Sequence, residues 1–157
     1  MKHIIYALVE NKPGVLARMS SLFSARGFNI DSLAVGETHD PTMSRVSLVV
    51  DAKEEKILDQ IKKQLEKLVD VISVTDLTKK KFFERELILV KVKTAKTSKL
   101  KLVSLVKKFS ATILSYDAKL AVIEAVVEKK QLIDLLDCLA PLGIEELVRT
   151  GRIAIAQ

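Results

Sequence analysis

The sequence has few of the residue combinations that catalytic and metal-binding proteins use. Its single cysteine, Cys138, cannot form an intrachain disulfide or a cysteine-rich metal site, and the leucines around it predict a buried helical position. Neither histidine has an i, i+4 partner or cysteine spacing, so His3 and His39 are predicted to be surface residues, with a metal at His39 and Asp40 as the alternative. Motifs for a serine nucleophile, a phosphate-binding loop or a dinucleotide are also missing. These absences predict a chain that is not an enzyme and binds no metal.

Aromatic residues and long apolar runs are also scarce. Aromatics make up 4% of the chain, and neither an RNP-like run nor a Gly-x-x-Gly loop is present, so the usual means of binding RNA are missing. The longest apolar runs have the length of strands, whereas a membrane-spanning helix needs about 20 residues. The N-terminus lacks the cleavage site and apolar length of a signal peptide. We therefore expect a cytoplasmic protein that binds neither nucleic acid nor a membrane.

The charged residues that are present are distributed unevenly. Hydrophobic residues make up 48% of the chain and charged residues 29%, a balance typical of a folded globular protein. Residues 1–78 contain 10 Lys/Arg and 11 Asp/Glu, a balance of −1, whereas residues 79–157 contain 16 and 9, a balance of +7. A basic half is typical of a protein with an acidic partner or a nucleic acid, and more often of a solvated lysine surface. An RNA- or nucleoid-binding protein is therefore kept only as a weaker alternative.

Hydrophobic periodicity predicts the same order of elements in both halves. Four segments of the first half have the two-residue period of strands: 3–10, 29–37, 43–50 and 71–77. Two amphipathic helices lie between them, the first ended by Gly27 and the second begun by a capping box at residues 51–54. The order repeats after a lysine-rich linker, and the last strand is predicted at residues 144–155, with Gly151 as the position of a bulge or bend. We predict an α+β protein with two ferredoxin-like (βαββαβ) domains, residues 1–78 and 79–157.

One segment, residues 11–16, has the composition of a ligand-binding loop between the first strand and the first helix. Free amides at the start of a helix attract a carboxylate, and Gly14 lets the backbone approach a ligand closely. The Asn11 amide has donor and acceptor atoms for the polar groups of a zwitterion. A plain strand-to-helix turn fits this segment equally well. The same two interpretations apply to residues 26–31, in which Asn29 begins a strand after a tight turn.

Segments 11–16 and 26–33 together resemble an ACT domain and, more narrowly, the small regulatory subunit of acetohydroxyacid synthase (acetolactate synthase). Further segments with the same resemblance are 40–45, 60–71, 84–92 and 148–154. The resemblance covers nearly the whole chain. The first 92 residues are its most specific part.

The resemblance implies a function that composition and spacing do not reveal. It implies a homodimer in which ACT domains pair side by side and bind an amino acid, usually valine, at their interface. Leucine or isoleucine is the alternative effector. The implied effector-binding residues are Asn11, Gly14, Val15 and Leu16 from one subunit, with Asn29 and Ile30 from the other.

The same resemblance implies a partner. The chain would activate and feedback-inhibit a separate catalytic subunit in branched-chain amino acid biosynthesis. Thiamine diphosphate, magnesium and FAD are expected on that subunit, and no cofactor is expected in this chain. The second half departs from the family pattern at Phe109-Ser110-Ala111 and at Ala125-Val126. A stand-alone amino-acid-sensing ACT protein that regulates another enzyme or a repressor is the alternative.

Overall fold

The computed structural model of the protein describes residues 2–51 and 55–157. The chain folds into two compact units, the first formed by residues up to 83 together with Arg152–Gln157, the second by Glu84–Gly151. Each unit has the order strand, helix, strand, strand, helix, strand. The predicted α+β class with two βαββαβ repeats is therefore confirmed. The predicted capping box of the second helix includes residues 52–54, which lie outside the described residues.

The first unit contains one antiparallel sheet with the strand order β2-β3-β1-β4. Its elements are β1 (Lys2–Glu10), α1 (Val15–Ala25), β2 (Ile30–Glu37), β3 (Met43–Asp51), α2 (Glu55–Leu65) and β4 (Val71–Asp76). β1 lies between two other strands, as its apolar residues on both faces predict. β2 and β4 form the two edges of the sheet.

Both helices of the first unit pack on the same face of its sheet. The buried side chains recur with period two on the strands and at spacings of three and four on the helices. They are Ile5, Ala7, Val9, Val46, Leu48 and Val50 on the sheet, and Val15, Met19, Phe23, Leu58, Ile61 and Leu65 on the helices. α1 ends as predicted, because Gly27 has φ 67° and its N–H donates to the Ser24 carbonyl at 3.0 Å, while the Phe28 N–H donates to the Phe23 carbonyl at 3.0 Å.

The second unit repeats this topology with the strand order β6-β7-β5-β8. Its elements are β5 (Phe82–Lys93), α3 (Lys99–Lys107), β6 (Thr112–Tyr116), β7 (Leu120–Val127), α4 (Lys129–Leu139) and β8 (Ile144–Arg149). Ser98 caps α3 by accepting a hydrogen bond from the Lys101 N–H. The unit has a core of its own, in which side chains of β5 and β7 pack against α3 and α4.

The last predicted strand, residues 144–155, is broken at Gly151, where a bulge or bend was predicted. The strand is interrupted around Gly151, which has φ 81°, and β9 (Ile153–Ala156) follows as a separate element. β9 belongs to the first unit: Ala154 is buried with Ile4, Val49 and Leu77 on the sheet face that the helices leave open. The two units therefore differ from the predicted ranges, because burial of β9 against this face joins the last residues to the first unit.

Two predictions about single residues are wrong. Cys138 is exposed, because the buried positions of α4 follow the stripe Leu132, Leu135 and Leu139, from which it is displaced. His3 is buried in β1, and its Nδ1 lies 3.2 Å from Thr78 Oγ1.

His39 is exposed, as predicted. Across residues 2–51 and 55–157, no three His, Cys, Asp or Glu side chains form a group able to hold a metal ion. None of the helices in these ranges is long and apolar enough to cross a membrane.

Candidate functional site

The loop between β1 and α1 is attached to the hairpin that joins β2 and β3. The Asn11 N–H donates to the Thr42 carbonyl at 2.7 Å. Its side-chain amide donates to Glu37 Oε1 at 3.0 Å and to the Pro41 carbonyl at 2.9 Å. Because these two acceptors use both amide hydrogens, the Oδ1 atom is the part of Asn11 suited to accept a hydrogen bond from a ligand. The Glu37 carboxylate adds a negative charge next to it.

Gly14 stands at the start of α1 in a conformation that favours glycine. It is the N-cap residue, with φ 85° and ψ −9°, and as a glycine it has no side chain with which to cap the helix. The Arg18 N–H donates to the Gly14 carbonyl at 2.9 Å, which closes the first turn. Leu16 and Ala17 come before Arg18 in this first helical turn, and the N–H groups of a first turn have no carbonyl partner within the helix. This end of α1 therefore offers N–H donors and positive helix-dipole charge to an anion.

Arg18 adds a full positive charge to the same place. A Cβ atom on residue 14 would lie 2.8 Å from Arg18 Nη1, so this guanidinium covers the glycine. Arg18 Nε donates to Asp70 Oδ2 at 2.7 Å, and the Asp70 side chain is only 9% exposed. The ion pair thus holds the arginine over the first turn of α1. Sequence reasoning missed Arg18, although its spacing of four from Gly14 on a helix was a usable signal.

The two apolar residues of the predicted site have different environments. Val15 is buried in the core of the first unit, at 6% exposure, so its side chain anchors the helix and only its backbone faces the loop. Leu16 is 41% exposed and supplies apolar surface beside the helix start. The loop therefore combines an anion-binding helix end, a carboxylate at Glu37 and an exposed aliphatic side chain.

Asn29 and Ile30 lie at the opposite end of β2 from this loop. β2 and β1 are both antiparallel to β3, so they run in the same direction, and the end of β2 at Glu37 is the end near the loop. Ile30 and Glu37 are seven positions apart, which in a strand corresponds to about 23 Å. Asn29 Nδ2 donates to Asp31 Oδ1 at 2.9 Å. Within one chain, Asn11, Gly14, Val15 and Leu16 therefore lie together, whereas Asn29 and Ile30 lie far from them.

The segments near Glu86 and Arg149 have a structural role within the second unit. The Glu86 side chain, 2% exposed, accepts two hydrogen bonds from Arg149, at 2.7 Å from Nε and 3.0 Å from Nη2. This hydrogen bonding raises the pKa of the Arg149 guanidinium above its usual range. The bidentate pair fixes β8 against β5.

Comparison with known families agrees with this geometry. A family model described as an acetohydroxyacid synthase (AHAS) small subunit-like ACT domain matches residues 5–73, and one described as the small subunit of acetolactate synthase matches residues 85–157. The "Probable acetolactate synthase small subunit" of Archaeoglobus fulgidus is 40% identical over 157 residues, covering 100% of this chain and 98% of that protein. The "Acetolactate synthase small subunit" of Mycolicibacterium smegmatis is 42% identical over 155 residues, covering 99% and 91%.

A solved structure has the same fold over the whole chain. The crystal structure of the acetolactate synthase small subunit from Thermotoga maritima matches with a TM-score of 0.90 and 34% identity, covering 100% of this chain and 98% of that one. The first unit, with its βαββαβ order and its glycine loop, is accordingly an ACT domain within a two-unit protein. The chain belongs to the acetolactate synthase small-subunit family.

Proposed function

We propose that this chain is the regulatory subunit of acetolactate synthase and that it binds a branched-chain amino acid, valine above all, at a dimer interface of its first unit. Family membership over both units supports the role of a subunit, and it favours this role over a stand-alone sensor. The observation that carries the proposal of an effector site is the start of α1, where the N-cap residue Gly14 has no capping side chain and the Arg18 guanidinium lies over it.

The division of the site residues between the two ends of β2 supports a site built from two copies. β2 is an edge strand, and edge strands pair readily with another chain. If two copies pair antiparallel through β2 about a two-fold axis, the Glu37 end of one strand lies beside the Ile30 end of the other. Asn29 and Ile30 of the second copy then complete the loop that contains Asn11 and Gly14.

The groups around this loop complement each part of a free amino acid. The first-turn amides of α1 and the Arg18 guanidinium suit the ligand's carboxylate. The Glu37 carboxylate and Asn11 Oδ1 suit its ammonium group. Leu16 of one copy and Ile30 of the other provide apolar surface for a short aliphatic side chain. A branched-chain amino acid therefore fits better than an acidic or a long basic one.

In this proposal the chemistry belongs to the catalytic subunit. That subunit would carry thiamine diphosphate, magnesium and FAD, and this chain would raise its activity and lower it again when the effector binds. An effector that lowers the affinity of this chain for the catalytic subunit must itself bind more weakly to the complex.

Two measurements test the proposal. Calorimetry of the purified full chain with valine, leucine and isoleucine should give saturable binding of at least valine, with one or two sites per dimer. The catalytic subunit with thiamine diphosphate, magnesium and FAD should gain activity on addition of the chain and lose it on addition of valine. Appreciable condensation of pyruvate by the pure chain alone, or no effect on the catalytic subunit, would refute the proposal.

A further inference from the structure

A second recess of the first unit lies on its helical side. It is a groove of about 600 Å³ between α1 and the end of α2, and it is open along its length. Its polar lining residues include Arg18, Ser21, Arg26, Gln64 and Lys67. None of the described acidic side chains lines it. Ala17, Leu22 and Leu68 also line it, so the groove is a largely apolar concave surface whose polar groups are cations, a hydroxyl and an amide.

The positive charge of this groove is only partly neutralised. No Asp or Glu occurs between Glu10 and Asp31, so the whole of α1 is free of acidic residues. Arg26 makes no ion pair among the described residues; its Nη2 donates to the neutral Gln64 Oε1 at 2.7 Å, which links the two helices. Lys67 is exposed and has no ion pair within the described part of the chain. Of these three cations, Arg18 alone has a carboxylate partner in residues 2–51 and 55–157, namely Asp70.

The spacing of the cations favours a protein segment over a small anion. Arg18 and Arg26 lie eight residues apart on or next to α1, which corresponds to about 12 Å along a helix. A single phosphate or carboxylate would contact one end of the groove. A segment with several acidic residues can reach all three cations. Sites for small molecules also enclose most of the ligand surface, which an open groove does not do.

We propose that this groove docks an acidic segment of the catalytic subunit. The inference rests on the proposed function, because it names the surface through which the regulatory chain holds its partner. The groove shares Gly14 and Arg18 with the effector loop. A carboxylate bound in the groove and a carboxylate bound at the start of α1 therefore act on the same guanidinium. This shared residue gives the effector a direct way to change the affinity for the partner.

Charge reversal in the groove tests the inference. Arg26→Glu combined with Lys67→Glu should weaken binding of the catalytic subunit by at least about tenfold at low salt, and the difference should shrink at high salt. Lys56→Glu combined with Lys80→Glu changes net charge equally at exposed sites outside the groove lining. This control should stay within about threefold of wild type in the same assay. Equal weakening by both pairs, or wild-type affinity in the groove pair, would overturn the inference.

Valine binding by the isolated chain separates this inference from the proposed function. The groove pair should retain it, since neither substituted residue belongs to the effector loop. If the groove variant binds both valine and the catalytic subunit as wild type does, only the inference that the groove is the docking surface is refuted. A wild-type chain that does not bind the catalytic subunit refutes the proposed function and this inference together.

Site-directed crosslinking identifies the occupant. A photoreactive maleimide on Ser21→Cys, in a Cys138→Ser background, places the probe inside the groove, and Ser73→Cys on β4 is the exposed control. With purified catalytic subunit, the Ser21 probe should give an adduct whose peptide is rich in Asp and Glu, at a yield several times that of the control. An adduct with a basic or apolar peptide, with a second copy of this chain, or with nothing would contradict the proposal.

Discussion

Replacing Gly14 with aspartate is the perturbation that tests the effector site most directly. The new carboxylate would stand at the start of α1, where the ligand carboxylate is expected. It would also be within reach of Arg18 Nη1, which lies 2.8 Å from the position that a Cβ atom on residue 14 would occupy. The side chain would thus take the place of the ligand carboxylate and bind the same donors. A competing ligand would have to displace it.

The substitution should change both the affinity for valine and the stability of the fold, and the two changes are estimated separately. Two like charges about 4 Å apart repel by about 4 kcal/mol at an effective dielectric constant of 20, and exposure of the loop to solvent reduces this to about 3 kcal/mol. Each 1.4 kcal/mol is about tenfold in affinity, so valine should bind roughly a hundredfold more weakly. The φ of 85° costs an L-residue about 1–2 kcal/mol of stability, of which the helix dipole returns about 0.5 kcal/mol. The variant should therefore remain folded.

The assay compares three substitutions at this position by calorimetry with valine. Gly14→Ala introduces the same backbone strain without charge and should lose less than about tenfold in affinity, while Gly14→Asn matches aspartate in shape and should fall between the two. Unfolding in denaturant checks that each variant is folded. If Gly14→Asp binds valine as wild type does, or if Gly14→Ala loses as much affinity as Gly14→Asp, the reasoning about charge at this helix end is wrong.

Three further predictions concern stability, assembly and pH. Arg18→Met leaves the carboxylate of Asp70 without its partner in a mostly buried position, and should lower the free energy of unfolding by about 1–3 kcal/mol in a denaturant titration. Arg18→Lys, which keeps the charge, should recover part of this loss. Val35→Lys adds a charge to the β2 edge at a side chain that is 48% exposed, and should shift the chain from dimer to monomer in sedimentation at micromolar concentration. Hydrogen bonds from the Thr42 side chain and N–H lower the pKa of Asp40 in the folded protein. The ionised carboxylate therefore stabilises the fold fully above the ordinary pKa of an aspartate, and this stabilisation is lost as the pH falls below about 4. The melting temperature should fall over that pH range, and it should fall less in Asp40→Asn.

Features that depend on neighbouring residues were predictable from the sequence. Gly27 was predicted to end α1 because a glycine at this position acts on backbone groups only three to five residues away. The central position of β1 followed from apolar residues on both of its faces. Gly14 could be selected because a strand, a Pro-Gly pair and an apolar helix succeed one another in the chain.

Features that depend on distant residues were not predictable in this way. Asn11 and Glu37 are 26 residues apart, and the alternating pattern of β2 gives no sign of their hydrogen bond. The apolar pattern also does not predict which end of β2 lies near the loop, because that depends on how the strands pair in the sheet. His3 looked like a residue at the start of a strand, yet it is buried where its ring reaches Thr78 across 75 positions. Such contacts arise from packing, which one sequence does not encode locally.

Because β9 belongs to the first unit, the second unit is inserted in the sequence between two segments of the first. The chain leaves the first unit after Phe83 and re-enters it at Arg152, so the first unit is assembled from two separate stretches. During synthesis, Ala154 emerges only after the entire second unit has left the ribosome, whereas Leu77 and Phe82, which pack in the same cluster with Ile4 and Val49, emerge before it. Until then this apolar face of the first sheet is covered only in part. The first unit is therefore begun first and completed last.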